Sequence, residues 1–244
     1  MRRVKQRVFS GAVLEQVVYT IPDRARDART AKAKLRFENE EQRLKHKEGI
    51  SRRRHAQLFN ANFSPTSLYS TLTFDNEHEV HTFDDAKRIR DNYIRRLQYA
   101  FPDAVIFFYL GRGKATRRIH AHMVSEGIPA EAIADKWGMG EIIRIEHLKE
   151  HNYYEVAGRG LVDCGRDYSG LANYLFNHWT PEPGGHRWKA TKNRKEPEKE
   201  APRECLRRYS KKVAPAAPPG YELVETMVTT YGFLYYKYVR KAGP

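Results

Sequence analysis

The sequence predicts an α+β fold in which helices pack mainly on one face of an antiparallel sheet. Three observations support this prediction. Residues 64–185 contain short β-rich runs and amphipathic stretches in the order strand, helix, strand, strand, helix, strand, helix. That order is typical of a sheet covered by helices on one side, and not of regular strand–helix alternation. A basic extension precedes this core, and a β-hairpin is predicted near the C-terminus.

The elements of the core follow from local patterns. The β-rich run Leu68–Phe74 predicts the first strand. Thr82, followed three residues later by Asp85, is a helix-capping signature, and apolar residues every three or four positions continue that helix as far as Pro102. The remaining predicted elements are strands at Ala104–Leu110, Arg118–Val124 and Glu141–Leu148, a helix at Ala130–Trp137, and a helix capped by Asp167 or Ser169 that runs to about Trp179.

These patterns divide the chain into four segments. Residues 1–63 form an N-terminal hairpin around Ser10 and Gly11 and a basic helical extension, and residues 64–185 form the α+β core. Residues 186–220 form a basic arm and a proline-rich linker, and residues 221–244 form the C-terminal hairpin. We expect this last hairpin to pair with the N-terminal one.

The charge of the chain indicates a polyanionic partner. Forty-four Lys and Arg stand against 30 Asp and Glu, giving a net charge of +14. The excess lies in two segments, residues 1–60 and 186–213, which flank a nearly neutral middle. Nucleic acid is the first partner expected and an anionic membrane surface the second.

Several other classes of protein are disfavoured by the composition. The two cysteines have no CxxC spacing, so neither a disulfide framework nor a zinc cluster is indicated. The sequence has no run of 18 apolar residues, and its basic start is not followed by an apolar stretch. We therefore expect a cytoplasmic protein without a membrane partner.

The sharpest chemical motif is a pair of histidines, His120 and His122. On a strand, residues two apart project from the same face, so the two imidazoles would lie side by side. Ile119, Ala121 and Met123 would face the core. Two imidazoles with a third ligand can hold a divalent cation. The pair alone is equally compatible with a structural role or with zinc.

A tyrosine on the last predicted helix is the second candidate. Leu171, Tyr174, Leu175 and His178 share one helical face. A tyrosine among Leu, Phe and Trp is normally a core residue. The same position would also allow its hydroxyl to be aimed at a neighbouring metal, and both interpretations stay open.

The succession of an LTF-type strand, a His-hydrophobe-His strand and a helical tyrosine resembles the HUH endonuclease superfamily. Within it, the chain is similar to rolling-circle replication initiators of bacterial plasmids, phages and mobile elements, over roughly residues 68–188. The resemblance implies an HUH, or RRM-like, nuclease core. It implies that His120 and His122 bind Mg²⁺ or Mn²⁺, and that Tyr174 attacks single-stranded or hairpin origin DNA to form a 5′-phosphotyrosine. A host helicase would be a further partner.

The sequence departs from that family in two places. Many members carry a lysine three or four residues after the tyrosine, where this chain has Asn177 and His178. We expect His178 to serve there as a cation or proton donor in catalysis. The third metal ligand is not determined. Candidates are Tyr109 and the residues after the first strand, Asp75, Asn76, Glu77 and His78.

Two further questions stay open at the level of sequence. Tyr168 is a rival nucleophile, although helix-face geometry favours Tyr174. An inactive DNA-binding protein on the same scaffold, a transposase and a relaxase are alternative functions.

The predicted DNA-binding residues flank the histidine pair or lie in the basic arm around Trp188, which resembles a single-strand platform but equally a solvated tether. They are Arg117, Arg118, Arg187, Lys189 and Lys192.

Overall fold

A computed structural model describes residues 2–21, 39–113, 117–156, 158–178, 186, 188–228 and 233–241. The fold is mixed α+β, and every strand pair in it is antiparallel. None of the described helices is both long and apolar enough to cross a membrane.

The described elements, in chain order, are as follows. The strands are β1 Arg2–Ser10, β2 Val13–Ile21, β3 Leu68–Leu72, β4 Val105–Arg112, β5 Ile119–Glu126, β6 Ile142–His147, β7 Tyr153–Val156, β8 Gly160–Asp163, β9 Trp188–Ala190, β10 Glu198–Lys199, β11 Arg203–Glu204, β12 Tyr221–Val228 and β13 Leu234–Arg240. The helices are α1 Glu40–Asn62, α2 Phe83–Ala100, α3 Ala130–Trp137 and α4 Ser169–Asn177.

The chain forms two compact units with boundaries that differ from the four predicted segments. Unit 1 comprises Met1–Ala61, His151–Asp167 and Pro197–Pro244, and unit 2 comprises Asn62–Glu150 and Tyr168–Glu196. The difference arises because one sheet takes strands from both ends of the chain.

Unit 1 is built on a sheet with the strand order β10–β1–β2–β13–β12, and β11 also pairs with β1. Both predicted hairpins are present, and β13 pairs with β2 as expected. Gly11, at the turn between β1 and β2, has φ +59, and a Cβ there would overlap the carbonyl of Asn60. Only glycine fits this turn without displacing α1.

Unit 2 is built on a five-stranded sheet with the order β6–β3–β5–β4–β9. Ile119, Ala121 and Met123 on β5 face a core that also contains residues of α2 and α3, which confirms the predicted orientation of that strand. Thr82 caps α2 by accepting a hydrogen bond from the backbone N–H of Asp85 at 3.2 Å, also as predicted.

The cap predicted for α4 is wrong. The N-cap position is Tyr168, whose side chain makes no capping hydrogen bond. Asp167 instead pairs with Lys237 of β13 at 2.5 Å, where its carboxylate is fully buried. Leaving a buried carboxylate without its ion-pair partner would cost more free energy than leaving the helix uncapped, so Asp167 pairs with Lys237. The helix ends at Asn177, and Trp179 lies outside the described residues.

Candidate metal and nucleophile site

The candidate site lies on the face of the unit 2 sheet opposite Ile119, Ala121 and Met123. His120 and His122 project from β5, the central strand. The strand register places Thr71 of β3 opposite His122, and Gly111 of β4 opposite His120. Residues directly opposite one another in a sheet share a face. The two imidazoles are therefore surrounded by the side chains of both neighbouring strands.

His178, at the C-terminal end of α4, completes a cluster of three histidines. Its Nε2 lies 2.7 Å from Nε2 of His120 and 3.2 Å from Nε2 of His122. The possible ligand atoms of the three residues all lie within 4.8 Å of one another. An imidazole-bound cation at about 2.0–2.1 Å sets neighbouring nitrogens roughly 3 Å apart. The three Nε2 atoms therefore fit a single metal ion.

This cluster provides a third ligand that the sequence did not determine. The other candidates are occupied differently. The Asp75 carboxylate binds the backbone and the imidazole of His78, both at 2.8 Å. Tyr109 is fully buried, and burial raises the pKa of its phenol well above the usual value, so it offers no anionic ligand. The sequence predicts that His178 acts as a cation or proton donor, and its position beside His120 and His122 would also allow it to hold a metal ion.

Gly111 makes room for the cluster. A Cβ at this position would overlap Cδ2 and Nε2 of His178. Any side chain here would push the His178 imidazole away from His120. The role of Gly111 depends on its register opposite His120, which no local sequence pattern predicts.

Two hydroxyls of β3 hold the far side of the His122 ring. Nδ1 of His122 lies 2.8 Å from the Tyr69 hydroxyl and 3.2 Å from Oγ1 of Thr71. The Tyr69 ring also stacks on the imidazole, with centroids 5.6 Å apart. If Nδ1–H donates to these oxygens, the Nε2 lone pair is free and points into the cluster. The sequence pattern predicts β3 as a strand but does not indicate this role of Tyr69.

The environment keeps the three imidazoles neutral. Burial lowers the pKa of His122 to about 3, and the neighbouring His178 and His120 add to the effect. Burial also lowers the pKa of His120, and burial together with His120 lowers that of His178. A neutral imidazole has a lone pair to give to a cation, so these shifts suit metal binding near pH 7.

Tyr174 lies beside the cluster and is not a core residue. Its ring centroid is 6.2 Å from that of His122 and 5.6 Å from that of His178, and the residue is 53% exposed. The rival Tyr168 is only 2% exposed. The Tyr174 side chain is therefore accessible to solvent, whereas that of Tyr168 is not.

Arg144 is a cation on the same face that sequence analysis missed. It lies on β6 opposite Thr71, which in turn lies opposite His122. Its side chain is 59% exposed and pairs with Glu146, two residues along the strand, at 2.5 Å. An exposed ion pair of this kind contributes only about 0–1 kcal/mol. The Arg144 guanidinium is therefore held only weakly and is accessible to solvent.

The predicted DNA-binding residues flanking the histidine pair have different surroundings. Arg117 is exposed and has φ 55. The Arg118 guanidinium donates to the carbonyls of Phe74 and Asp75, at 2.9 and 3.1 Å, and to Asn76. Arg118 therefore holds the loop after β3, and Arg117 is the more available of the two.

The predicted DNA-binding residues of the basic arm also have different surroundings. Lys189 lies opposite Phe108 of the core, so it projects from the face away from the histidines, and it pairs with Asp91 at 2.8 Å. Lys192 is exposed after β9. Trp188 stacks on Phe107, with centroids 5.1 Å apart, and Arg187 lies outside the described residues.

Comparison with protein-family models, with curated proteins and with solved structures finds no match to this chain.

Proposed function

We propose that this protein is a tyrosine-dependent, site-specific single-strand DNA endonuclease of the HUH type, which nicks and rejoins origin DNA to initiate rolling-circle replication. The observation that carries the proposal is the exposed Tyr174 beside three converging histidines on an open sheet face. The order of the three motifs in the sequence, which resembles the HUH superfamily, supports it, as does the net charge of +14.

The reaction is a transesterification. The Tyr174 hydroxyl oxygen attacks the scissile phosphorus, a bond forms between them, and the bond from phosphorus to the 3′ oxygen breaks. The proton of the tyrosine ends on that oxygen, giving a free 3′-hydroxyl and a 5′-phosphotyrosine. Attack by a later 3′-hydroxyl reverses these changes and rejoins the strand. Because the phosphodiester energy is kept in the tyrosyl bond, no ATP is required.

His120, His122 and His178 are the residues that would hold a divalent cation. Such an ion supplies positive charge to the non-bridging oxygens of the scissile phosphate. Mg²⁺ prefers oxygen ligands, whereas imidazole suits transition metals. A set of three nitrogens therefore favours Mn²⁺ over Mg²⁺ as the cofactor.

Arg144 positions the substrate in this proposal. Its place on β6 allows the guanidinium to bind a phosphate next to the scissile one, with Glu146 as the partner it exchanges for DNA. Arg144, Thr71 and His122 lie side by side on three neighbouring β-strands. Together they would align the DNA strand across the sheet.

The test is covalent capture. The protein is incubated with end-labelled single-stranded oligonucleotides carrying a randomised segment, with Mn²⁺, and resolved on a denaturing gel. We expect a protein–DNA adduct that disappears in Tyr174→Phe and remains in the matched control Tyr168→Phe. Noncovalent binding without any adduct would exclude the nuclease and favour the inactive DNA-binding alternative.

A further inference from the structure

One face of the unit 1 sheet is unusually cationic. Residues 205–221 contain Arg207, Arg208, Lys211 and Lys212 but no Asp or Glu. Strand β1 adds Arg3, Lys5 and Arg7, which alternate along the strand and so project from one face. We call these seven side chains the cationic face.

The register of the sheet places the cations of residues 205–221 and the cations of β1 on the same face. Lys5 lies opposite Val18 of β2. Arg7 lies opposite Gln16 of β2, and Gln16 in turn lies opposite Tyr236 of β13. Val18 and Tyr236 belong to the apolar cluster that also contains Cys205 and is packed by Tyr209. The loop from Cys205 onward therefore lies on the same face as the β1 cations.

This loop is held in place by the sheet. The Tyr236 hydroxyl donates to the carbonyl of Ser210 at 3.0 Å, and the Tyr238 hydroxyl donates to that of Pro215 at 3.2 Å. The backbone N–H of Cys205 donates to the carbonyl of Arg3 at 2.9 Å. The loop from Cys205 onward is therefore a built part of the fold, and Tyr236 and Tyr238 of the C-terminal hairpin hold it there.

The loop and β1 enclose a cleft. It has a volume of about 460 Å³ and is lined by Arg3, Cys205, Leu206, Arg208 and Tyr209. The Tyr209 ring packs edge-on against Tyr236, with centroids 6.3 Å apart, and is partly exposed. The cleft therefore combines a partly exposed aromatic ring with two arginines, which suits the alternation of base and phosphate along a single strand.

The charge of this face is not compensated within the described residues. Of the nearby carboxylates, Glu200 pairs with Arg203 at 3.9 Å, and Glu198 lies at the other end of β1, opposite Phe9. Glu204 lies opposite Val4, so its side chain projects from the other face of the sheet. Within the described part of the chain, no ion pair involves Arg3, Arg207, Arg208, Lys211 or Lys212. Holding like charges together costs stability, and a bound polyanion offsets that cost.

We propose that the cationic face is a second nucleic-acid site, at which single-stranded DNA binds with its phosphates on the cations and a base stacked on Tyr209. None of its residues belongs to the histidine cluster. The identification of the strand as DNA rests on the proposed function, whereas the charge and the cleft do not depend on it. A bilayer surface fits less well, because the aromatic wall lies inside a concave cleft.

The test measures binding without cleavage. In a Tyr174→Phe background, the affinity for a fluorescent oligothymidylate is followed by anisotropy as the salt concentration rises. Each lost phosphate contact reduces the slope of log affinity against log salt by about 0.7 for a single strand. We expect Arg208→Ala combined with Lys211→Ala to lower the slope by about 1.4. Arg88→Ala, which removes an exposed arginine paired with Asp85 on α2, is the control and leaves the slope unchanged.

A second variant tests the stacking. Tyr209→Leu should weaken binding roughly tenfold without changing the salt slope, and thermal unfolding establishes that each variant is folded. An unchanged slope in the double variant overturns the proposal, as does binding to vesicles of anionic lipid with no binding to the oligothymidylate. A reduced slope together with no covalent adduct in the wild type leaves this site standing and rejects only the nicking function.

Discussion

The two faces of strand β5 show how one short sequence performs two different tasks. Ile119, Ala121 and Met123 are buried in the core with α2 and α3, while His120 and His122 meet His178 on the other side. The apolar face fixes the backbone of the strand. The polar face can then keep neutral imidazoles aligned. Stability and ligation should therefore be separable by substitutions one residue apart.

The largest expected effect is that substitutions at neighbouring residues of β5 change metal binding and stability independently. His122→Ala should abolish Mn²⁺ binding, measured by calorimetry, with a small change in the free energy of unfolding. Met123→Ala, the matched neighbour, should lower the free energy of unfolding by about 2–5 kcal/mol and retain the metal. Loss of metal binding by a folded Met123→Ala protein would contradict the separation of the two faces.

Gly111→Ala should also impair the metal site without touching a ligand. Because the new methyl group occupies the position of the His178 imidazole, we expect Mn²⁺ affinity to fall about 10–100-fold, the effect typical of changes around metal ligands. Gly49→Ala on α1 is the control, since a Cβ there meets nothing within 4 Å. Its metal affinity should be that of the wild type, and equal affinities for the two variants would show that His178 is not a ligand.

Tyr69→Phe should have a smaller effect on the same property. The substitution removes one of two oxygens that hold Nδ1 of His122, and Thr71 remains. We expect about a tenfold loss of Mn²⁺ affinity. The exposed Tyr99→Phe provides the comparison. If Tyr69→Phe binds Mn²⁺ as tightly as Tyr99→Phe, the β3 hydroxyl does not orient the ring.

A last prediction concerns the pH dependence of stability in the metal-free protein. Burial lowers the folded-state pKa of His122 and of His55 in unit 1 to about 3, from the ordinary 6.5. Below pH 6.5 the unfolded chain therefore binds more protons than the folded one, and stability falls as the pH decreases towards 3. Each histidine contributes a loss of up to about 1.4 kcal/mol per pH unit.

Urea unfolding at a series of pH values between these limits measures that loss. His122→Asn should flatten the dependence for unit 2, and His55→Asn should flatten it for unit 1. A dependence unchanged in both variants would mean that neither histidine is buried in the neutral form.

Much of this candidate site was accessible from local sequence patterns. Alternation on β5 separated His120 and His122 from the core residues, and the helical spacing brought Tyr174 and His178 to one end of α4. Three other contributors were not accessible, because they depend on strand register. Gly111, Tyr69 and Arg144 reach the histidines only through the pairing of β4, β3 and β6, and no local periodicity encodes that pairing. The two-residue strands β10 and β11 escaped prediction for the same reason.

The length of α4 has a consequence for the order of events. At nine residues, this helix is too short to be stable by itself, and it ends beside His178. Tyr174 lies one turn before that end, so a cation that anchors the histidine also stops the last turn from fraying. On the proposed function, metal loading would then precede strand cleavage, because without the ion the position of Tyr174 would not be fixed.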